Sequence, residues 1–584
     1  MSTPLTAEPR SGMREFTARA VVLGGLITLV FTAANAYLGL KVGLTFATSI
    51  PAAVISMALL RYFANHSIVE NNIVQTIASA AGTLSAIVFI LPGLVMIGWW
   101  QGFPYWITML VCFVGGVLGV MYSIPLRRAL VTGSDLPFPE GVAAAEVLKV
   151  GDTAEGATEN KRGLRLILLG SVASAGYALL AKMKVVAEGL STTLKIGSGG
   201  TLFVPGLSFA LIGVGHLVGL TVGIAMIVGL VISYFVLLPI WTAGDLPETG
   251  SITKVISTAF SQEVRLIGAG AIAIAAVWTL IKILGPVLRG IADSIASSRK
   301  RREGQLVDIT ERDMPFPYVA AVVLVSLVPI GVLLWWFTGT PKAGSATNPL
   351  DGQSGGIILL SILFILVLGL VVASVCGYMA GLIGASNSPV SGVGILVVLA
   401  AALLIRVVWG PSAGDTATAL VAYTLFTAAI IFSIATISND NLQDLKTGQL
   451  VGATPWKQQV ALVIGVAFGS AIIPPVLDLL QSGFGFVGAP GAGENALAAP
   501  QASLLAKLSD GVFGGDLDWG LIGLGALIGA GVIVIDEVIG TLLEVPTASA
   551  GGRHGYVPAD ERDPDDPGRC GARVLLQPLG RPVR

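Results

Sequence analysis

The stretch LVAYTLFTAAIIFSIATISNDNLQDLKTGQL, Leu420 to Leu450, opens as an unbroken apolar run and ends with two Asp, two Asn and two Gln. Its apolar part matches the ~20 residues that a helix needs to cross a bilayer, so the stretch reads as a membrane span with a polar end. An unpaired Asp at the bilayer centre costs roughly 2.5 to 3.5 kcal/mol on insertion scales. Asp440 and Asp444 must therefore face water, a partner group or the membrane interface. At helical spacing these two share one face, while Asn439 and Gln443 share the next. A solvated loop, with Asp444 and Lys446 as neighbours, is the alternative reading of the same spacing.

The rest of the chain agrees with a membrane setting. Of 584 residues, 54% are hydrophobic and only 12% charged, with a mean hydropathy of +0.83; an ordinary soluble chain has roughly 25% charged residues. About thirteen to fifteen apolar stretches can be marked out, from Val21–Leu40 to Gly520–Ile535. They are runs rather than the short alternating segments of a barrel. The expected fold class is all-α polytopic, with transmembrane or half-membrane helices, an internal repeat and broken helices. The first run is too long, and too closely followed by another, to be a cleaved signal peptide. Cys112, Cys376 and Cys570 form no CxxC pair or disulfide framework. No basic, aromatic-interleaved segment suits nucleic acid.

Lys and Arg collect at the N-terminus, at Arg127 and Arg128, at Lys161, Arg162 and Arg165, in SSRKRREG (Ser297 to Gly304), and at Lys446 and Lys457. Putting all of these on the cytoplasmic side gives a cytoplasmic N-terminus in a cell inner (plasma) membrane. It requires the block Leu207 to Ile240 to form two short helices turning around Gly219–Gly223. The loops thereby placed outside, including 190–205 and 481–518, are poor in Arg.

A weak repeat is visible. YLGLKVGLTFATSIP from Tyr37 resembles YMAGLIGASNSPV from Tyr378, each with a Gly six residues on (Gly43, Gly384), then a Ser and a Pro before an apolar run. ENNIVQT, with Asn71 and Gln75, and SNDNLQD, with Asn439 and Gln443, recur in the same order. Paired repeats with interrupted segments are a common transporter plan, with the site where the repeats meet. Glycines four apart (Gly115 with Gly119, Gly465 with Gly469, Gly525 with Gly529) allow close helix packing.

Amide side chains both donate and accept, which suits a ligand made of repeated peptide groups. Asn71, Asn72, Gln75, Asn439, Asn441 and Gln443 are accordingly the candidate substrate-binding residues. In GSDLPFPEGVAAAEVLKVG, Gly133 to Gly151, Pro137 and Pro139 fix an extended entry and Glu140 opens a helix, whose free N–H groups and dipole favour an anion. Glu140, Glu146, Asp440 and Asp444 are the candidates for binding a proton or a ligand amine. No catalytic or metal-ligating set stands out. With no P-loop, transport would need no cofactor and would be driven by an ion gradient.

NAYLGLKVGLTFATSIPAAVIS, ENNIVQTIASAAGT, GSDLPFPEGVAAAEVLK and SNDNLQDLKTGQLVGATPWKQQ, in this order and over about Arg14 to Leu542, resemble the oligopeptide transporter (OPT) family in its bacterial branch. The resemblance implies import of small peptides, or of metal chelates and siderophore-like compounds, by a secondary transporter that usually uses the proton gradient. It implies a first membrane half at 14–285 after a cytoplasmic segment 1–13, a basic cytoplasmic loop at 286–316, and a second half at 317–543. Relatives of this kind continue through further apolar helices where this chain enters an Arg- and Pro-rich segment, 544–584. That segment is expected to be disordered and suggests a truncation or frame change near Leu543, with a non-transporting membrane protein as one reading. A membrane-embedded prenyltransferase is the enzyme alternative, since NDNLQD resembles an Asp-rich diphosphate motif; its second Asp-rich motif is missing.

Overall fold

A computed structural model describes residues 14–543 except 44, 135, 153–161, scattered positions between 164 and 191, 206–208, 247–251, most of 276–307, 353–354, 387, 389, 494 and 515–517. SSRKRREG and the 544–584 segment fall outside the described residues, so the expectations placed on them do too.

Among the described residues ten helices are long and apolar enough to cross a membrane. We label the main helices α1 (Ala18–Val42), α2 (Ser49–Leu60), α3 (Ile68–Leu84), α4 (Tyr105–Leu126), α5 (Pro139–Gly151), α6 (Phe209–Leu230), α7 (Phe316–Gly339), α8 (Gly355–Ile383), α9 (Val390–Trp409), α10 (Gly414–Val451), α11 (Pro455–Phe484), α12 (Pro500–Gly514) and α13 (Trp519–Leu543). Several are irregular. Pro125 lies inside α4 and a π-helical turn, Arg127–Thr132, follows; Pro474 and Pro475 sit inside α11. Proline removes a backbone donor and clashes with the preceding turn, so these breaks follow from the sequence.

The two similar segments end α1 and α8. Gly43 (φ 77°) and Gly384 (φ 92°) take the left-handed conformation that stops each helix, a conformation glycine adopts without a Cβ penalty. The chain then folds back into α2 and α9, and the loops meet: Ala47 N–H donates to Ser386 Oγ at 3.1 Å. The second pair of similar segments is not equivalently placed. Asn71 lies in the first turn of α3, Asn439 late in α10.

Helix α10 is the centre of the bundle. Its 38 residues span roughly 57 Å at 1.5 Å per residue, well beyond the ~30 Å hydrocarbon core, and Ala419 to Leu445 are all buried. Protein, not lipid, covers its polar end. Glycines permit the packing: a Cβ on Gly115 would lie 2.6 Å from Ile430 O, and one on Gly465 2.4 Å from Ile77 O.

Three expectations change: the segment 481–518, expected as an outside loop, contains α12, and two further changes concern α6 and the region 190–205. No turn occurs at Gly219–Gly223, because α6 continues through it and passes by a π-helical stretch, Val231–Leu237, into Leu238–Trp241. Breaking a helix in lipid leaves backbone groups without water partners, and glycine alone does not compel it. The region 190–205, expected as a loop, contains an antiparallel hairpin, Thr192–Ile196 with Gly199–Phe203, turned at Gly197 (φ 62°).

Candidate functional site

Helix α3 begins at Ser67, whose Oγ accepts from Glu70 N–H at 3.1 Å, a capping arrangement that satisfies an orphan donor. Glu70 turns outward to the N-terminal segment, accepting from Arg19 Nε and NH2 at 2.7 Å and from Thr17. Glu15 accepts from Thr454 Oγ1 at 2.7 Å and lies 3.4 Å from Lys457. Arg127, fully buried, bonds Asp313 at 3.1 Å and the Thr310 carbonyl at 2.8 Å, while Arg128 reaches Asp313 at 2.7 Å. These pairs gather segments 15–19, 64–70, 127–128, 310–313 and 454–457 at one end of the bundle.

Inside that end α3 and α10 run antiparallel along a polar seam. Gln75 Nε2 donates to Asp444 Oδ1. Ser79 Oγ and Thr83 Oγ1 donate to Asp440 Oδ2 at 2.5 and 2.6 Å. As the α3 number rises by four, the α10 number falls by four. Both carboxylates are fully buried, and neither is ion-paired among the described residues. Asp440 Oδ1, Asp444 Oδ2 and Gln75 Oε1 have no partner, an uncommon state for buried polar atoms.

Glu140 lies at the start of α5, as the sequence predicts, and its Oε1 accepts from Ser386 N–H at 2.9 Å. Its Oε2 has no partner. Burial, followed by the like charge of Asp440, holds the Glu140 carboxyl above the usual range. Glu146 is not part of this group: its side chain is 60% exposed and pairs with Lys149 at 3.1 Å.

The candidate amides divide. Gln443 is a brace, accepting from Gly141 N–H at 2.7 Å and donating to Ala380 O at 2.5 Å. Asn71 is held by Ser56 Oγ at 2.6 Å and Ser67 O at 3.2 Å. Asn439 accepts from Ser388 and donates to Ala385 O at 2.9 Å. Asn72 and Asn441 are fully buried, and neither amide has a partner. Ser79, Thr83 and Gln458, whose Nε2 donates to Asp444 O at 2.5 Å, are polar neighbours of the two carboxyl residues that the sequence reading passed over. Hydroxyls within IASAAGT read as small packing residues until a carboxylate is placed opposite them.

Beside the seam, where the loops after α1 and α8 meet, lies a cavity of about 70 Å³ lined by residues that include Thr45, Ala47, Thr83, Ser386, Asn439 and Asp440. Pockets for organic ligands run from ~300 to 1,000 Å³, so in this form the cavity has room for water or a small ion but not for a peptide.

Residues 15–560 match the family model described as OPT oligopeptide transporter protein. A Haemophilus influenzae protein named as an oligopeptide transporter is 43% identical over 519 residues, covering 86% of this chain and 79% of that one. Two Oryza sativa proteins named as metal-nicotianamine transporters are 24% identical over 419 residues (68% of this chain, 53% of the relative) and 22% identical over 547 residues (84% and 72%).

Proposed function

Because the chain belongs to the OPT oligopeptide transporter family, a transporter family rather than an enzyme family, we propose that it imports oligopeptides by secondary active transport coupled to protons. The observation that carries this reading is the α3–α10 seam: two buried carboxylates without a basic partner among the described residues, held across the contact by Gln75, Ser79 and Thr83. Burying such groups charged is costly, so they suit a cycle in which protons or a ligand amine come and go. Asp444 and Glu140, each with one oxygen free of partners, are the proton carriers in this reading. Asp440, which lines the cavity, faces the cargo. Asn72, Asn441, Gln75 and Asn439 bond its peptide groups, while Asn71 and Gln443 brace the site.

Opening of the seam enlarges the cavity to cargo size, and rocking of one half against the other provides alternating access. The end that gathers Arg19, Arg127, Arg128 and Lys457 is cytoplasmic, as the positive-inside rule asks of these four residues, which puts the N-terminus inside; with α6 unbroken, this placement does not extend to Arg162 and Arg165 or to Ser297–Gly304. Purified protein in proteoliposomes with an acidic exterior should accumulate short peptides from a mixed library, and collapse of the pH gradient should stop it. Accumulation that ignores the gradient would refute the coupling.

A second reading, import of metal chelates, is favoured by the names of the rice relatives. The same vesicles offered metal-nicotianamine complexes distinguish the two.

A further inference from the structure

The central cavity is too small for a peptide, yet it is built. Asp440 lines it, fully buried, with Oδ2 held by Ser79 and Thr83 and Oδ1 without a partner. No Lys, Arg or His is among the described residues that line it. Three of the hydroxyl protons around it are engaged: Thr83 donates to Asp440, Thr436 to Ser433 O at 3.1 Å, and Ser388 to Asn439. Their oxygens keep lone pairs, and a hydroxyl oxygen has two. The chain reaches this place directly after the C-terminal ends of two long helices, α1 and α8, where the helix dipole is negative. The carboxylate, the hydroxyl oxygens and the two helix C-terminal ends offer electron density, and no cationic side chain among the described lining residues opposes them, although α9 starts at the lining residue Val390.

We propose that this cavity is a binding site for a partly dehydrated monovalent cation of Na⁺ size, with Asp440 as its one anionic ligand and the oxygens of Thr83, Ser388, Thr436 and Asn439 as candidate neutral ligands. Hard cations take oxygen ligands, and unwound backbone at helix C-terminal ends is where transporters seat Na⁺. A volume of about 70 Å³ has room for such an ion together with water. One carboxylate balances a single charge. Among the described residues no group of three His, Cys, Asp or Glu side chains is placed to hold a metal, which disfavours a divalent or transition metal here. The site follows from the chemistry of the cavity and does not depend on peptide uptake.

The test is thermal unfolding of the full-length chain in detergent at constant pH and ionic strength, with NaCl titrated against choline chloride and, separately, KCl. Na⁺ should raise Tm by several degrees with a saturable dose response, as a ligand of the native state does, and K⁺ should do so less. Asp440→Asn should lose the response. Should that variant fail to fold, Thr436→Val should need at least fivefold more Na⁺ for half of the shift. Equal Tm in all three salts, a stabilisation that tracks pH but not Na⁺, an undiminished response in Asp440→Asn or an unmoved midpoint in Thr436→Val would each overturn the site. A Na⁺ response in protein that transports no peptide would leave this site standing and remove the transport reading.

Discussion

Gln75 on α3 donates a hydrogen bond to the carboxylate of Asp444 on α10, joining residues 369 positions apart in the chain. With Ser79 and Thr83 on Asp440, it turns the seam between α3 and α10 into a polar contact in an apolar bundle. Leaving a buried polar group without its partner costs about 1–3 kcal/mol. Gln75→Ala should lower stability by about that amount, and Asp444→Ala, which removes the acceptor, by a similar one. The double variant should fall short of the sum by about 0.5–3 kcal/mol, the range found for residues in contact. Denaturant unfolding of the four proteins measures this coupling.

The amides give a sharper contrast. Gln443→Ala strands Gly141 N–H and Ala380 O, so thermal stability and uptake should fall together. Asn72→Ala and Asn441→Ala remove amides that bond nothing in this form. Both should leave Tm unchanged or raised while increasing the KM for peptide, read from initial uptake rates.

At the basic end, Arg127 and Asp313 are both buried, with side chains 0% and 1% exposed. Removing one member of such a pair costs about 3–5 kcal/mol. Arg127→Met should show that loss in thermal unfolding. Arg127→Lys should recover only part of it, because an ammonium cannot reproduce the planar fork that reaches Asp313 and the Thr310 carbonyl together.

Glu140 sets a pH dependence whose sign is fixed. Its carboxyl titrates above the usual range when folded, so the folded chain binds more protons than the unfolded chain between the two values. Its contribution is present at low pH and declines as pH rises from the ordinary glutamate value of ~4.3 through the raised one. Glu140→Gln should flatten that part of the Tm-against-pH curve, and an unchanged slope would show that Glu140 is not its source.

Helix contacts make the last stability prediction. Gly465→Ala would place a Cβ 2.4 Å from Ile77 O and should cost about 1–3 kcal/mol, as overpacking does. Gly531→Ala, with nothing within 4 Å, should stay within about 0.5 kcal/mol in the same unfolding assay.

Much of this arrangement was legible in the residues. Apolar runs announced the spans, and the cost of burying Asp440 and Asp444 required water, a partner group or the interface, of which the structure supplies partner groups. Gly43 and Gly384, matched in the repeat, lie at the ends of two helices whose following loops meet. What remained hidden depends on tertiary contact. Nothing in IASAAGT says that Ser79 and Thr83 will face a carboxylate from 361 and 357 residues away. Nothing near Arg127 names Asp313. The similarity of ENNIVQT to SNDNLQD suggested equivalent positions, whereas the segments meet as antiparallel partners. Gly219–Gly223 read as a turn because glycine permits one, although in lipid the unbroken helix keeps its backbone paired.

Peptide-dependent proton entry tests the coupling at the seam most directly. Proteoliposomes loaded with a pH-sensitive dye should acidify inside when peptide is added to wild-type protein, and should not with Asp444→Asn. Peptide accumulation without acidification, or undiminished acidification by folded Asp444→Asn, would contradict a proton-coupled seam between α3 and α10.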